Sequence, residues 1–318
     1  MKNKPTLLLE DLHELRMHLI DEPELDQTQS SPTCWNSMKD GEFSPGFTPV
    51  RQVPPGLYEI QWNSSLQTHT LKRQEIHTDE LYSLPSKEII DIIADIESFW
   101  NNVEIYRQYK FIHKRGILLY GDPGCGKSGI IQLCVKHIIE EKNGIVINIK
   151  DEDGVRFFSE FIQTIRKIEP TRPLIVLLED IDSIAGDDHY STTKLLNILD
   201  GIKQIENVVY IATTNYPEKL KERISNRPSR FDRRYEVAMP SKEIRQAYLE
   251  AKLSEEDLGR IEMEDWLTYS DGMSLAHLKE LVISVIVLNQ PFEEAVKHLS
   301  EMKKMPKIRK GGNIGFRN

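Results

Sequence analysis

The feature that most constrains the fold of this chain is segment 121–128, which reads Gly-Asp-Pro-Gly-Cys-Gly-Lys-Ser. It fits the pattern G-x-x-x-x-G-K-[S/T] at every fixed position. The apolar run 116–120 before it predicts a buried strand, and apolar residues recur at helical spacing over 129–141. A glycine-rich loop between a strand and a helix N-terminus presents backbone N–H groups to phosphate oxygens. We therefore expect the chain to bind a nucleoside triphosphate.

Two side chains of this loop have specific expected roles. The ammonium of Lys127 would reach the β- and γ-phosphates, and the hydroxyl of Ser128 would ligate Mg²⁺. The residues expected to bind the nucleotide here are Gly121, Asp122, Pro123, Gly124, Cys125, Gly126, Lys127, Ser128 and Gly129.

Composition limits the classes of protein to which the chain can belong. Its 318 residues have room for about two domains, and its net charge of −9 opposes bulk attraction to nucleic acid or anionic membranes. Three cysteines without a C-x-x-C pair favour neither a zinc site nor a disulfide framework. The longest apolar run, 281–288, is too short to span a bilayer, and no signal-peptide pattern is present. We expect a cytoplasmic protein that makes no contact with a membrane.

The first 84 residues predict an arm followed by a small β-hairpin. Leucines at helical spacing predict a short amphipathic helix over 7–20. The polar segment 21–49, rich in Pro, Ser, Asp and Gly, is typical of a linker or a loosely ordered arm. Alternating residues over 57–62, a turn at 63–65 and a returning run at 66–71 predict the hairpin.

Residues 85–239 predict a large α/β domain. A helix is expected over 86–109, and strands and helices then alternate, which is the rhythm of a parallel sheet covered by helices on both faces. The predicted strands are 116–120, 145–149, 173–178, 207–213 and 234–238, and the predicted helices between them lie near 127–141, 155–168 and 191–200.

Residues 240–302 predict a small subdomain that is entirely helical, and 303–318 predict a basic tail. Helical periodicity recurs near 241–252, 262–269, 274–289 and 292–302. The tail carries six basic and no acidic residues. It is typical of a flexible terminus, and a contact with nucleic acid or a partner is the alternative interpretation.

Acidic and amide side chains follow two of the predicted strands. Glu179 and Asp180 come directly after the apolar run 174–178, about fifty residues beyond the glycine-rich loop. They could form a solvated turn, but carboxylates at the C-terminal edge of a sheet are well placed to hold Mg²⁺ together with Ser128. Asn215 follows strand 207–213 and either forms a turn or positions the attacking water.

Five arginines lie within segment 223–234. This density is compatible with a solvated basic patch, a nucleic-acid contact or arginine fingers. Arginine fingers are cations that stabilise a transferring phosphoryl group and can come from a neighbouring subunit.

Together these motifs resemble the AAA branch of the AAA+ ATPases, a P-loop NTPase family, over about residues 85–290. The resemblance rests on the loop at 121–128, the acidic strand at 174–180 and Asn215. It also rests on R-P-S-R-F-D at 227–232 and G-M-S-L-A-H-L at 272–278. Within the family, segments 114–120 and 178–182 are most similar to the bcs-type proteins, whose membrane helix has no counterpart here.

The resemblance implies an α/β core with an α-helical lid, ATP and Mg²⁺ as ligands, and a homo-oligomeric, hexamer-like ring that acts on an unidentified protein client. Glu179 and Asp180 would supply the metal ligand and polarise the attacking water, while Asn215 would sense the γ-phosphate. Arg227 and Arg230 would act across the ring interface. Adenine would lie near the chain before Gly116 and against the lid at Gly272 and Ala276.

Three departures from the family pattern stand out. The acidic pair reads Glu-Asp instead of Asp-Glu, so the second carboxylate is one methylene shorter. Cys125 occupies a position often taken by threonine; it either has a lowered pKa at a helix N-terminus or simply fills space. Segment 151–154 lacks an aromatic pore loop, and we expect Phe157 and Phe158 beyond it to be helix core.

Three functions remain open at this stage. The first is an ATP-hydrolysing ring that remodels or translocates a protein assembly. The second is a loader acting on DNA-bound machinery, which only the basic tail favours. The third is a nucleotide-gated scaffold with little turnover, which the inverted acidic pair suggests.

Overall fold

A computed structural model describes residues 34–37, 43–46, 52–64, 67–75, 87–185, 189–200, 205–220 and 230–304. The helix predicted at 7–20, Arg227 and most of the basic tail lie outside these residues. The chain divides into two compact units, residues 1–53 and 54–318.

The first unit contains an antiparallel pair, β1 (Cys34–Ser37) and β2 (Phe43–Gly46), in which Cys34 lies opposite Gly46. The sequence predicted only a linker or loosely ordered arm here, and for these eight residues that prediction was wrong. Four-residue strands are too short for a clear period-two pattern, and Pro45 within β2 argues locally against a strand.

The second unit is built on a seven-stranded, mostly parallel sheet with the order β4-β3-β6-β7-β8-β5-β9. Its strands are β3 (Gly56–Asn63), β4 (Thr68–Gln74), β5 (Lys114–Tyr120), β6 (Ile145–Ile149), β7 (Leu174–Leu178), β8 (Val208–Thr214) and β9 (Arg233–Glu236). Only β4 runs antiparallel to its neighbour. The predicted α/β architecture is confirmed.

The predicted hairpin forms, but it extends the large sheet instead of standing ahead of it. β3 pairs with β4 on one side and runs parallel to β6 on the other, with Gly56 opposite Ile145. Tyr58 and Ile60 are buried, because this face of β3 packs against the rest of the unit. The alternation of the hairpin residues predicted the strands but could not reveal a parallel partner almost ninety residues further along the chain.

Helices cover the sheet because its central strands are apolar on both faces. The helices of the α/β part are α1 (Lys87–Asn101), α2 (Val103–Gln108), α3 (Lys127–Lys142), α4 (Glu152–Ile168), α5 (Ile181–Ala185) and α6 (His189–Asp200). Side chains of α1 and α3 join Ile117, Ile175 and Ile211 in one core cluster. Strand residues that alternate with Ile117, Ile175 and Ile211 face the opposite side of the sheet. On that side α4 packs against β3 and β6.

The helix predicted over 86–109 is interrupted at Asn102. Its backbone departs from helical geometry (φ −107°, ψ 20°), and its side-chain amide donates to the carbonyl oxygen of Ser98 at 2.6 Å. A side chain that bonds to a nearby backbone group competes with helix continuation, which explains the break. Asparagine within an apolar periodic pattern gave no clear sign of this interruption.

The C-terminal part of the second unit is helical and has its own apolar core. Its helices are α7 (Lys242–Lys252), α8 (Glu255–Leu258), α9 (Met263–Tyr269), α10 (Leu275–Val282) and α11 (Phe292–Lys304). Leu249, Trp266, Leu278 and Leu299 are among the residues that form this core. The helix predicted over 274–289 changes to a π-helical turn at Ile283–Val287. Among the described helices, none is both long and apolar enough to cross a membrane.

Gly116 in β5 is required by a close approach of two backbone segments. A Cβ at this position would lie 1.8 Å from the carbonyl oxygen of Arg230, and the Gly116 N–H donates to Oδ2 of Asp232 at 3.0 Å. Gly129, in the first turn of α3, differs sharply because a Cβ there would meet no atom within 4 Å.

We expect opposite effects when the two glycines are replaced by alanine. Gly116→Ala should lower the free energy of unfolding by about 1–3 kcal/mol, because the Cβ must displace backbone. Gly129→Ala should raise it by up to about 1 kcal/mol, because alanine favours the helix. Urea unfolding of the nucleotide-free variants measures both. Equal stabilities of the two variants would contradict the close approach at Gly116.

Candidate nucleotide-binding site

The loop between β5 and α3 depends on glycines in the left-handed region of backbone conformation. Gly121, Gly124 and Gly126 have φ angles of 151°, 79° and 106°. At Gly121 a Cβ would also lie 2.2 Å from the carbonyl oxygen of Val237. Side chains are strained at such φ values, so the loop can adopt this shape only with glycine at these positions. The result is the open N-terminus of α3 facing a cavity.

Lys127 lies at the centre of this loop and is only 7% exposed. Its ammonium donates hydrogen bonds to the carbonyl oxygens of Gly121 at 2.8 Å and Asp122 at 2.9 Å. Burial lowers the pKa of Lys127, and the nearby Cys125, Asp180 and other acidic groups oppose that shift. The loop thus holds a cation beside the helix N-terminus, which is a favourable place for phosphate oxygens.

The two predicted carboxylates follow β7 at the same edge of the sheet. Burial and then the neighbouring charge of Asp180 raise the pKa of Glu179, and the Asn148 amide opposes this. The Nδ2 atom of Asn148 lies 3.5 Å from Oε1 of Glu179. Asp180 has a positive φ of 48°, which is uncommon for a residue with a side chain. The pair therefore concentrates negative charge that a cation would relieve.

The end of β8 supplies the remaining polar groups. The amide of Asn215 donates to Oδ1 of Asp180 at 3.1 Å, and the hydroxyl of Thr213 accepts the Asp180 N–H at 3.0 Å. The hydroxyl of Thr214 donates to Oδ1 of Asp182 at 2.6 Å. Asn215 is thus in direct contact with the acidic loop, and its role in positioning water stays a prediction.

These groups surround one cavity of about 770 Å³, large enough for a nucleotide. The predicted residues that line it are Pro123, Gly124, Cys125, Gly126, Lys127, Ser128, Gly129, Glu179, Asp180, Asn215 and Ala276. Gly121 and Asp122 contact Lys127 but lie outside this lining. The structure therefore brings the glycine-rich loop, the acidic pair and Asn215 together.

The helical subdomain closes the cavity over the loop. The N–H of Ala276 donates to the carbonyl oxygen of Gly124 at 3.3 Å, and a Cβ on Gly124 would lie 2.7 Å from Oγ of Ser274. Gly272 is not part of the lining and instead takes a positive φ of 66° in the turn before α10. The residues just before Gly116, where adenine was expected, are not among those that line the cavity, whereas Lys87 and Ile89 of α1 are.

Sequence reasoning missed several residues that line the cavity. They are Ile89, Thr213, Met239, Ile244, Tyr248, Leu275 and Ile283, among others. Most are apolar residues at helical spacing, and in a sequence these look the same whether they face a core or a ligand. Leu275 alone had a usable signal, because it lies inside the 272–278 motif.

Of the two arginines predicted to act across a subunit interface, the structure describes one. Arg227 lies outside the described residues. Arg230 is 6% exposed, and its Nε lies 3.4 Å from Oδ2 of Asp200 in the same chain. Arg230 does not line the cavity of its own chain, and its role in trans stays a prediction. Burial and the partner Asp200 could not be read from a local motif.

Cys125 is a buried thiol that lines the cavity next to Met239, with 3.5 Å between the two sulfur atoms. Burial raises the pKa of Cys125, although Lys127 acts in the opposite direction. The alternative of a lowered pKa was therefore wrong, because burial of the thiolate outweighs the attraction of Lys127. The thiol fills space, which was the other interpretation.

The donor set fits Mg²⁺ bound together with a phosphate ligand. Ser128, Glu179 and Asp180 offer oxygen atoms around one side of the cavity. In the described part of the chain, no cluster of three or more His, Cys, Asp or Glu residues could hold a metal by itself. Mg²⁺ commonly binds through one or two carboxylates and substrate phosphates, so this modest protein contribution suffices.

The raised pKa of Glu179 predicts a pH-dependent effect on stability. Its ordinary value is 4.5, so the folded protein holds this proton more tightly than the unfolded chain. The associated stability is present below that value and is lost as the pH rises through the folded pKa. Glu179→Gln should therefore raise Tm relative to wild type at pH 7 without nucleotide, and the difference should shrink towards about pH 4.

Thermal unfolding at both pH values measures this effect. The exposed Glu206 provides a matched control, because Glu206→Gln should leave Tm nearly unchanged. A lower Tm for Glu179→Gln than for wild type at pH 7 would contradict the unfavourable burial of this charge.

Comparison with known proteins agrees with this geometry. A model of the family described as "ATPase family associated with various cellular activities (AAA)" matches residues 117–239, which run from β5 to just beyond β9. The match therefore covers the glycine-rich loop, the acidic pair and Asn215.

Among similar proteins is a proteasome-activating nucleotidase of Sulfurisphaera tokodaii, 29% identical over 66% of this chain and 57% of its own length. A cell division cycle protein 48 homolog of Archaeoglobus fulgidus is 29% identical over 72% of this chain and 33% of its own length. The ATP-dependent zinc metalloprotease FtsH 2 of Salinibacter ruber is 29% identical over 77% of this chain and 38% of its own length.

The chain spans less than two thirds of the length of each of these three relatives. This chain carries an ATPase domain of the AAA family, matched at residues 117–239.

Proposed function

We propose that this chain hydrolyses ATP and, as a subunit of a homo-oligomeric, hexamer-like ring, uses the energy to remodel or translocate a protein assembly. One observation carries the catalytic part of the proposal. The ends of β5, β7 and β8 bring Lys127, Asp180 and Asn215 to a single cavity. The named activities of the relatives favour a protein client over DNA.

In this mechanism the loop binds the triphosphate and Lys127 exchanges its two carbonyl partners for phosphate oxygens. Mg²⁺, held by Ser128 and the acidic pair, would neutralise charge on the phosphates. Asp180 accepts a hydrogen bond from the attacking water, and Asn215 holds the carboxylate in place. The water oxygen attacks the γ-phosphorus in line, the bond to ADP breaks, and catalysis comes from positioning and charge neutralisation.

The assembly part of the proposal assigns the role in trans to Arg227. Arg230 is paired with Asp200 inside its own subunit and would instead support the fold of this segment. Cys125 and Cys134 are both free, which fits a reducing compartment such as the cytoplasm. The Glu179-Asp180 order and segment 114–120 support a place in the bcs-type branch.

We expect the specific rate of ATP hydrolysis to rise with protein concentration, because each site is completed between subunits.

Lys127→Ala should lower kcat/KM by at least about 100-fold, since it removes the cation that contacts the phosphates. Lys136→Ala, a substitution on the same helix in a surface i,i+4 ion pair, should leave the rate unchanged. Tight ATP binding without turnover at any concentration would instead favour a nucleotide-gated scaffold.

Mixing two inactive variants tests the role of Arg227 in trans. A Lys127→Ala subunit retains Arg227, and an Arg227→Ala subunit retains its loop, so one in four interfaces of a random equimolar ring is complete. The mixture should recover about a quarter of the wild-type rate. Recovery of no activity from two folded, assembling variants would show that Arg227 does not act on the neighbouring site.

A further inference from the structure

The acidic loop after β7 is held to the end of β8 at three consecutive residues. Thr213 accepts the backbone N–H of Asp180, Thr214 donates to the carboxylate of Asp182, and Asn215 donates to the carboxylate of Asp180. Of these, only Asn215 was recognised from the sequence. Of the three contacts, the one from Thr213 is made to the backbone. It therefore fixes the position of the main chain at the start of the acidic loop.

The hydroxyl of Thr213 replaces a partner that the sheet no longer provides. The register between β7 and β8 ends with Leu178 opposite Ala212, so the N–H of Asp180 lies beyond the ladder. Thr213 is 5% exposed, and its Oγ1 lies 3.0 Å from that nitrogen. Asp180 is itself an exposed residue, but its N–H meets an acceptor within the protein, which is this buried side chain of the neighbouring strand.

This contact has a consequence because of the conformation and length of Asp180. Its φ of 48° is left-handed and costs free energy in a residue with a Cβ, so neighbouring contacts have to maintain it. Aspartate is one methylene shorter than glutamate, and its carboxylate has less reach. The direction of the backbone therefore decides whether Oδ1 meets Asn215, as it does at 3.1 Å.

We propose that Thr213 is a positioning residue for ATP hydrolysis, which holds Asp180 in the left-handed conformation that directs its short carboxylate to Asn215 and the attacking water. The inference rests on the proposed ATPase function and deepens it. Thr213 acts through Asp180, whose backbone N–H donates to its hydroxyl.

Thr213→Val is the sharpest test, because valine has nearly the shape of threonine but offers no acceptor. The Asp180 N–H would lose its partner, and the left-handed conformation would lose its support. We expect kcat at saturating ATP to fall by roughly 5- to 100-fold, the range expected when a hydrogen-bonded group is left without its protein partner. The Kd for a fluorescent, non-hydrolysable ATP analogue should stay within about 2-fold of wild type, because the glycine-rich loop is untouched.

Two further variants separate positioning from general stability. Thr213→Ser keeps the hydroxyl and should restore kcat to within about 3-fold of wild type. Thr70 lies in β4, remote from the site, and its hydroxyl contacts the carbonyl oxygen of Gln61 in β3; Thr70→Val should leave kcat unchanged. Thr213→Ala, which also lacks an acceptor, serves if the valine variant does not fold. Circular dichroism and Tm establish the folded state of each protein.

Several results would overturn the inference. A wild-type kcat in Thr213→Val, or a Thr213→Ser variant as slow as valine, would show that the hydroxyl does not position Asp180. Equal losses in kcat and in analogue binding would indicate damage to the whole site. Loss of the fold in both Thr213→Val and Thr213→Ala would assign a purely structural role. Wild-type protein without turnover would refute the proposed function, which is a separate failure.

Discussion

The pairing of β8 with β7 on one side and β5 on the other is the constraint on which the site depends. Parallel strands end at the same edge of a sheet, so whatever follows them in the chain is brought together there. Tyr120 is opposite Thr214 and Leu178 is opposite Ala212. A shift of this register by one residue would move every side chain of a strand to the opposite face and separate the loop from the carboxylates.

Apolar burial holds that register in place. β7 and β8 are buried along their whole length, and their side chains enter the core on both faces of the sheet. A strand of this kind cannot shift along its neighbours without exposing apolar side chains or overpacking the core. The polar groups at its end are therefore held in a fixed position. The lid is tied to the same frame, because Ala276 bonds directly to the backbone of Gly124.

The sequence predicted the parts of the site that a local pattern encodes. Three features each follow directly after an apolar strand: the loop at 121–128, the acidic pair and Asn215. Parallel strands end at the same edge of a sheet, so the sequence alone predicted that these three features lie close together. Asn148 and Thr213 could not be found this way, because their importance depends on which side chain of a neighbouring strand faces the acidic loop. The buried pairing of Arg230 with Asp200 likewise depends on tertiary packing.

The fold shows the same division. Strands and helices with clear periodicity in the α/β core were predicted within a few residues, whereas the break at Asn102 and the π-helical turn at Ile283–Val287 were not. These irregularities arise from single side-chain bonds and from packing within the helical subdomain. The position of β3 in the large sheet required a partner strand remote in sequence, which no local alternation reveals.

The contacts of Lys127 with its own loop set a threshold for ligands. Its ammonium already has two carbonyl acceptors, so an incoming anion has to provide better ones before the side chain turns away from Gly121 and Asp122. A single carboxylate attracts the ammonium through its charge, but its two oxygen atoms cannot also satisfy all the open N–H groups at the helix N-terminus. A polyphosphate offers several charged oxygens at once and satisfies the helix N-terminus as well. The loop and the helix N-terminus together therefore favour a polyphosphate over a small anion with a single charge.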